Sequence, residues 1–234
     1  MGQIVITGAS SEIGLAITDK LSSLGKPMLL QCFRNKEALA PWEGKEKIIS
    51  TDLSDENDLN EFLKELEDTE ILVYAAARTD AGLIPHIEPT SMEASIKVNI
   101  VAYTRICQAI IPRMCLKRRG IIIGISSVAA SRVYKGQGIY SGTKAYMEAF
   151  TKAIAAEYSK KGIRSNCVAP GSIEAGAMKR LPFFDKKDLI QINTSGMTGT
   201  PSDVAEAVSF LCSEKSSFIN GTVLKVDGGH WLGV

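Results

Sequence analysis

The chain has 234 residues, enough at roughly 150 per domain for one full-sized domain or two small ones, and one large domain is the simpler reading. A composition of 45% hydrophobic and 23% charged residues excludes a disordered chain; 27 basic against 26 acidic residues leave +1, which excludes a global field drawing the protein to nucleic acid or an anionic membrane. The longest apolar runs, such as Ile71 to Ala77, fall far short of the roughly 20 residues of a bilayer span.

Apolar β-branched runs of strand length alternate with segments of helical period, the pattern of a parallel sheet wrapped by helices on both faces. The first run, Gln3 to Thr7, begins without a basic n-region or cleavage site, so a cytoplasmic protein is expected. It leads into Gly8-Ala9-Ser10-Ser11-Glu12-Ile13-Gly14 and then a helical pattern through Ala16, Ile17, Leu21 and Leu24. A strand, a glycine turn and a helix start suit a pyrophosphate: Gly8 lets the backbone bend and approach it, and Gly14 lets the helix pack on the strand. Two glycines near a strand end are also an ordinary loop.

The second run, Met28 to Phe33, ends in Arg34-Asn35-Lys36, where a dinucleotide fold meets the adenosine ribose. No acid stands there to bind a 2′-hydroxyl, whereas Arg34 and Lys36 attract a 2′-phosphate, so NADP(H) is expected over NAD(H) unless both are merely solvated charges. The third, Lys47 to Asp52, ends at Asp52-Leu53. That carboxylate can accept from an adenine amino group or serve as a helix-start acid before Ser54. Leu59, Phe62, Leu63 and Leu66 then predict an amphipathic helix. Further strands are expected at Ile71 to Ala75, Gly120 to Ser126, Ser165 to Ala169 and Thr222 to Val226. Thr200-Pro201-Ser202-Asp203 opens a last helix, with Thr200 as its cap. The irregular stretch from about 171 to 199 is expected to be a mobile loop over a site.

Five cysteines, at 32, 107, 115, 167 and 212, lack any C-x-x-C and are expected to be reduced; His86 and His230 lack zinc-site spacing, so no metal is expected. His86 is expected in a surface loop, and His230 with Trp231 at a subunit contact. Thirteen residues after Ser127 stands Tyr140, and four further on Lys144, opening an alanine-rich helix. That spacing puts both side chains on one helix face. An ammonium near a phenol stabilises the phenolate and lowers a pKa of about 10, fitting Tyr140 for proton transfer.

Together these residues resemble the classical short-chain dehydrogenase/reductase family over essentially the whole chain. The resemblance rests on Thr7 to Gly14, Asp52-Leu53, Val98-Asn99, Ser127 with Tyr140 and Lys144, Pro170-Gly171 and Val226-Asp227-Gly228-Gly229. It implies a single Rossmann-like domain over 1–234, a doubly wound sheet of seven mainly parallel strands. It makes Tyr140 the proton donor and Ser127 the hydroxyl that orients the substrate carbonyl. Lys144 would hold the nicotinamide ribose and lower the Tyr140 pKa, and Asn99 would fix a water in the proton relay. The implied cofactor contacts are Gly8, Ser10, Ser11, Ile13, Gly14, Arg34, Asn35, Asp52, Leu53, Ala75, Ala76, Ala77, Tyr140, Lys144, Pro170, Gly171 and Ile173.

The sequence departs from the family pattern in four places. Glu12 replaces the middle glycine of the turn, Tyr74-Ala75-Ala76-Ala77 replaces Asn-Asn-Ala-Gly, and Ala175 replaces a threonine. The asparagine hydrogen bonds must be replaced or done without. Arg78, where an apolar residue is usual, can meet cofactor phosphates, an anionic substrate or only solvent.

Within the family, the Gly120 strand, Gly138-Ile139-Tyr140 and the ending Asn220 to Leu224 are most similar to 3-oxoacyl-[acyl-carrier-protein] reductases. This implies an NADPH-dependent ketoreductase acting on a 3-oxoacyl thioester. It also implies that an acyl carrier protein docks near the active-site mouth through Arg118 and Lys161, residues that are equally helix-end charges. An alcohol or sugar dehydrogenase and a noncatalytic nucleotide-binding subunit are the alternatives. By the same resemblance, a homotetramer is expected, paired through the helices around 100 to 116 and 139 to 160.

Overall fold

The computed structural model describes residues 2–66, 68–175 and 194–232. Most of the loop expected from 171 to 199 therefore lies outside the described residues.

Seven strands form one sheet: β1 (Gln3–Thr7), β2 (Met28–Cys32), β3 (Lys47–Ser50), β4 (Thr69–Tyr74), β5 (Gly120–Ile125), β6 (Ile163–Pro170) and β7 (Val223–Val226). Their order is β3-β2-β1-β4-β5-β6-β7, and every pairing is parallel, as in a Rossmann-like doubly wound sheet. The chain runs outward from β1 to one edge, then returns to build the other half from β4. A crevice opens at that switch point, beyond the carboxyl ends of β1 and β4.

Among the described residues the α-helices are α1 (Glu12–Ser22), α2 (Glu56–Lys64), α3 (Pro89–Ile96), α4 (Tyr103–Lys117), α5 (Gly138–Tyr158) and α6 (Pro201–Cys212). Successive strand side chains point to opposite faces, so Val5 joins one core while Ile4 and Ile6 join the other. Leu59 and Phe62 of α2, Ile106 and Ile110 of α4 and Met147 and Ile154 of α5 fill the first. Ile17 and Leu21 of α1 with Val204, Val208 and Leu211 of α6 fill the second.

Thr200 caps α6 as expected: its hydroxyl accepts from Asp203 N, and Asp203 Oδ2 accepts from Thr200 N at 2.7 Å. The cap of α2 is Asp55, one residue beyond Ser54. All five cysteines are free thiols. Among the described residues, no helix is long and apolar enough to cross a membrane.

Candidate active site

The cleft begins at the glycine turn. Gly8 has φ +64°, and a Cβ there would sit 2.7 Å from Ala76 N; at Gly14 a Cβ would sit 2.2 Å from Gly8 O. Gly14 thus brings α1 onto the turn as expected, while Gly8 is required by its backbone conformation and its contact with β4's continuation. Ser11 caps α1, accepting from Gly14 N at 3.0 Å and donating to Gly8 O at 2.9 Å. Behind the turn lies a residue that the sequence did not mark. Gln31, 2% exposed, accepts from Gly8 N at 2.9 Å and donates to Cys32 O at 3.0 Å and Thr51 O at 2.9 Å. One buried amide therefore joins the turn to the ends of β2 and β3, and nothing in its local sequence signals those long-range partners.

At the rim, Arg34 lies exposed with its guanidinium 4.6 Å from the Phe33 ring centroid, and Asn35 Nδ2 reaches Ser10 O at 3.5 Å. Lys36 lies 3.9 Å from Glu43 Oε1. Asp52 Oδ1 accepts from Ser54 N at 2.8 Å and Ser54 Oγ at 2.7 Å, closing an Asx turn ahead of α2 rather than capping the helix.

Beyond β4, Ala75 N donates to Thr7 O and Ala76 N to Thr7 Oγ1, each at 3.2 Å. Tyr74, which stands for the first asparagine of the family pattern, donates its hydroxyl to Val98 O and packs 4.8 Å from the Tyr103 ring centroid. Arg78 pairs with Asp80, Nε to Oδ2 at 2.9 Å, and Ser95 Oγ also donates to that oxygen.

Asn99 lies on a π-helical turn, Lys97–Ala102, between α3 and α4. Its Oδ1 accepts from Arg78 N, and its Nδ2 donates to Arg78 O and Thr143 Oγ1. Ser127 Oγ accepts from Ala129 N at 3.1 Å and opens on the same cleft as Tyr140. Lys144, 2% exposed, donates to Ile125 O at 2.6 Å, its Nζ 5.6 Å from the Tyr140 ring centroid. Burial pulls Lys144 down to about 8, partly opposed by the neighbouring Cys167 and Glu148, the latter also accepting from Ser126 Oγ. Burial pushes Tyr140 up, and the Ser127 contact pulls it back. The lowering expected from Lys144 is not what this arrangement produces: burial raises the Tyr140 phenol, and the lysine is turned to the Ile125 carbonyl.

One cleft of about 770 Å³ holds Gly8, Ser10, Ser11, Ile13, Arg34, Asn35, Asp52, Leu53 and Ala75 to Ala77 together with Ser127, Tyr140, Lys144, Pro170, Gly171 and Ile173. Its size suits an extended ligand. Of the residues expected at the site, Gly14 and Asn99 stand behind its wall. Ser126, Gln137, Tyr134, Ser172 and His230 line it without having been expected to.

A family model described as enoyl-(acyl carrier protein) reductase matches residues 8–230. The chain belongs to the short-chain dehydrogenase/reductase family. Among its relatives, the 3-oxoacyl-[acyl-carrier-protein] reductase FabG of Chlamydia trachomatis is 30% identical over 96% of this chain and 95% of its own. The uncharacterized oxidoreductase YmfI of Bacillus subtilis is 27% identical over 96% and 97%. A 4-hydroxyisoleucine dehydrogenase, solved in complex with NADH, superposes with a TM-score of 0.90 at 25% identity, covering 100% of both chains.

In this short-chain dehydrogenase/reductase, two expectations need correction. Arg118 and Lys161 are not at the mouth of the chain's own cleft. They precede β5 and β6, whereas Ser126-Ser127 and Pro170-Gly171 follow those strands, so a six-residue strand, about 20 Å, separates the two ends. His230 is not on a subunit-facing surface of the chain. It is 4% exposed, with Tyr134 Oη at Nε2 and Ser172 Oγ 3.2 Å from Nδ1, and its carbonyl accepts from Arg132 at 2.7 Å. His86 is exposed in a short turn, as expected.

Proposed function

We propose that the protein is an NADPH-dependent ketoreductase that reduces the 3-oxo group of an acyl thioester. The observation that carries this reading is the Ser127, Tyr140 and Lys144 constellation opening on the same cleft as the glycine turn and the Arg34 rim. The named activity of the Chlamydia relative supports the substrate class.

The residues fit a dinucleotide. The α1 N-terminus faces the cleft beside Gly8, the small Ala75 to Ala77 segment leaves room along the floor, and Arg34 offers a forked cation to a 2′-phosphate. The bound nicotinamide supplies the hydride. Tyr140 delivers a proton to the carbonyl oxygen, and Ser127 orients that oxygen by donating to it. Lys144 puts a cation next to the phenol and holds the ribose. Asn99 pins the Arg78 backbone to Thr143, on the helix that carries Tyr140 and Lys144.

A homotetramer accompanies this reading. Between α4 and α5 runs a furrow of about 300 Å³ lined by Ile111, Phe150 and Tyr158, suited to helix-on-helix pairing with another copy. An acyl carrier protein held by Arg118 and Lys161 would then serve the cleft of a neighbouring copy, since both residues lie at the far end of their own sheet. A second reading, an NADH-dependent alcohol dehydrogenase, draws on the 4-hydroxyisoleucine dehydrogenase likeness.

The test is the initial rate of NADPH and of NADH oxidation with a short 3-oxoacyl thioester, for wild type and Tyr140→Phe. NADPH turnover exceeding NADH turnover, falling by about 100-fold or more in Tyr140→Phe with dinucleotide affinity retained, supports the proposal. Dinucleotide binding without thioester turnover refutes the substrate class, and an NADH preference refutes the Arg34 reading.

A further inference from the structure

We infer that Gln31 is a positioning residue of the dinucleotide site, holding the glycine turn at a fixed spacing from Asp52-Leu53, the wall that meets adenine, so that one ligand grips both. This rests on the NADPH reading of the cleft and not on the thioester.

Two consecutive amides of the turn end on this one residue. Gly8 N donates to Gln31 Oε1 and Ala9 N to Gln31 O, each at 2.9 Å. Ser11 N turns back to Gly8 O, and Gly14 N is taken by Ser11 Oγ. Among the described residues, Ser10 N and Ile13 N find no acceptor in the chain, and both residues line the cleft. Gln31 thus fixes the orientation in which the turn offers its remaining donors to an anion.

The same side chain reaches the other half of the site. Its Nε2 donates to Cys32 O at 3.0 Å and to Thr51 O at 2.9 Å. Thr51 immediately precedes Asp52-Leu53, which line the cleft, and Thr51 N donates to Cys32 O at 2.9 Å, closing the ends of β2 and β3 around the amide. Both amide hydrogens are spent inside the protein, so Gln31 acts through the turn and the wall and not by donating to a ligand.

Burial makes the tie stiff. Gln31 is 2% exposed in a strand whose five residues are all buried, so its rotamer freedom is lost at folding rather than at binding. Without the amide, Gly8 N–H and Thr51 O each lose a partner, and the turn and the wall shift independently. A ligand gripping two subsites gains over either half because its second contact is intramolecular, and that gain depends on the spacing between them. Loss of Gln31 therefore penalises a ligand that spans both subsites and spares one that fills the wall alone.

The experiment uses two adenine ligands that differ by one phosphate. Adenosine 2′-monophosphate occupies the wall and the Arg34 rim; adenosine 2′,5′-bisphosphate adds the 5′-phosphate that faces the turn. Titration calorimetry gives Kd for each, and for NADPH, with wild type, Gln31→Met and Gln31→Glu. Gln31→Met keeps the length without a hydrogen-bonding amide, and Gln31→Glu keeps an acceptor for Gly8 N–H but lacks both donors. The wild type is expected to bind the bisphosphate about tenfold or more tightly than the monophosphate. In both variants that ratio is expected to fall by at least about threefold, with the monophosphate held within about twofold, and KM for NADPH to rise by more than kcat falls. A wild-type ratio of one, or a ratio unchanged in the variants, overturns the proposal even where stability drops, since a merely structural role weakens both ligands alike. Should Gln31→Met fail to fold, Gln31→Glu decides alone. If the wild type prefers NADH, the Arg34 reading fails separately, and the same phosphate is read from adenosine 5′-monophosphate against adenosine. If no thioester reacts, the substrate reading fails separately and the ligand ratio still decides.

Discussion

Arg78 and Asn99 exchange two hydrogen bonds: the Arg78 N–H donates to Asn99 Oδ1, and Asn99 Nδ2 donates back to Arg78 O, each at 2.9 Å. The side-chain amide thus pairs with the backbone much as a neighbouring strand would, and its second N–H spans to Thr143 Oγ1 at 3.0 Å. Asn99→Asp retains the size but sets lone pairs against Arg78 O and Thr143 Oγ1. A loss of about 1–3 kcal/mol is expected in urea unfolding, together with reduced turnover, because the segment crossing the cleft floor loses its tie to α5. Unchanged stability and rate would contradict this.

Tyr74→Phe removes only the hydroxyl that reaches Val98 O, keeping the ring against Tyr103. The buried Val98 carbonyl loses its donor, so thermal or urea unfolding is expected to show a loss of about 1–2 kcal/mol. Dinucleotide affinity is expected to hold, since Tyr74 is buried in the core and only its neighbours Ala75 to Ala77 face the cleft.

Much of this organisation was legible in the sequence. The strands are legible because β-branched apolar runs such as Ile121-Ile122-Ile123 leave few alternatives, although β4 starts at Thr69 and β6 at Ile163, two residues ahead of the apolar signal in each case. Ser127, Tyr140 and Lys144 are legible because two of them share a helix face. Gln31, Tyr134 and His230 were not. Their partners lie across the fold, Tyr134 and His230 being 96 residues apart, and no period or turn chemistry encodes such a meeting. The assignment of His230 to a subunit contact failed for that reason. The reading of Arg118 and Lys161 as mouth residues failed differently: residue matching located them in the sequence, but the parallel sheet sends everything that precedes a strand to the opposite end from everything that follows it.

Lys144 gives the protein a pH signature. Its pKa falls from 10.5 to about 8 through burial, so between those values the unfolded chain binds a proton that the folded chain does not, and this group's contribution to stability rises with pH. Below 8, the fold carries a buried ammonium. Lys144→Met is therefore expected to exceed wild type in stability most at neutral pH, with the difference shrinking by up to about 3 kcal/mol as pH approaches 10.5. Guanidinium unfolding of both chains at about pH 7 and about pH 10 measures it; a pH-independent difference would count against the buried charge.

Arg34→Glu places a carboxylate at the ribose rim. An acid there binds a 2′-hydroxyl and repels a 2′-phosphate. The expected outcome is at least about tenfold weaker NADPH binding, with NADH binding equal or tighter, read by nicotinamide fluorescence titration. Parallel weakening of both cofactors would assign Arg34 to the loop's structure instead.

The close approach of Gly8 to Ala76 has a consequence for how the protein is made. β1 has no partner when it is first synthesised; it pairs with β2 over Ile4↔Met28 and with β4 over Gln3↔Thr69, each through a crossover connection. The glycine turn is therefore complete in covalent terms after 14 residues yet acquires its floor only when β4 has emerged, and Tyr140 and Lys144 come later still. Such a chain closes its loops before its long-range contacts repay them, which makes folding slow compared with a helical bundle of equal length. Newly made molecules thus pass through a stage with apolar β1 and β2 edges exposed, in which the nucleotide has nothing to grip and chaperones have much to cover.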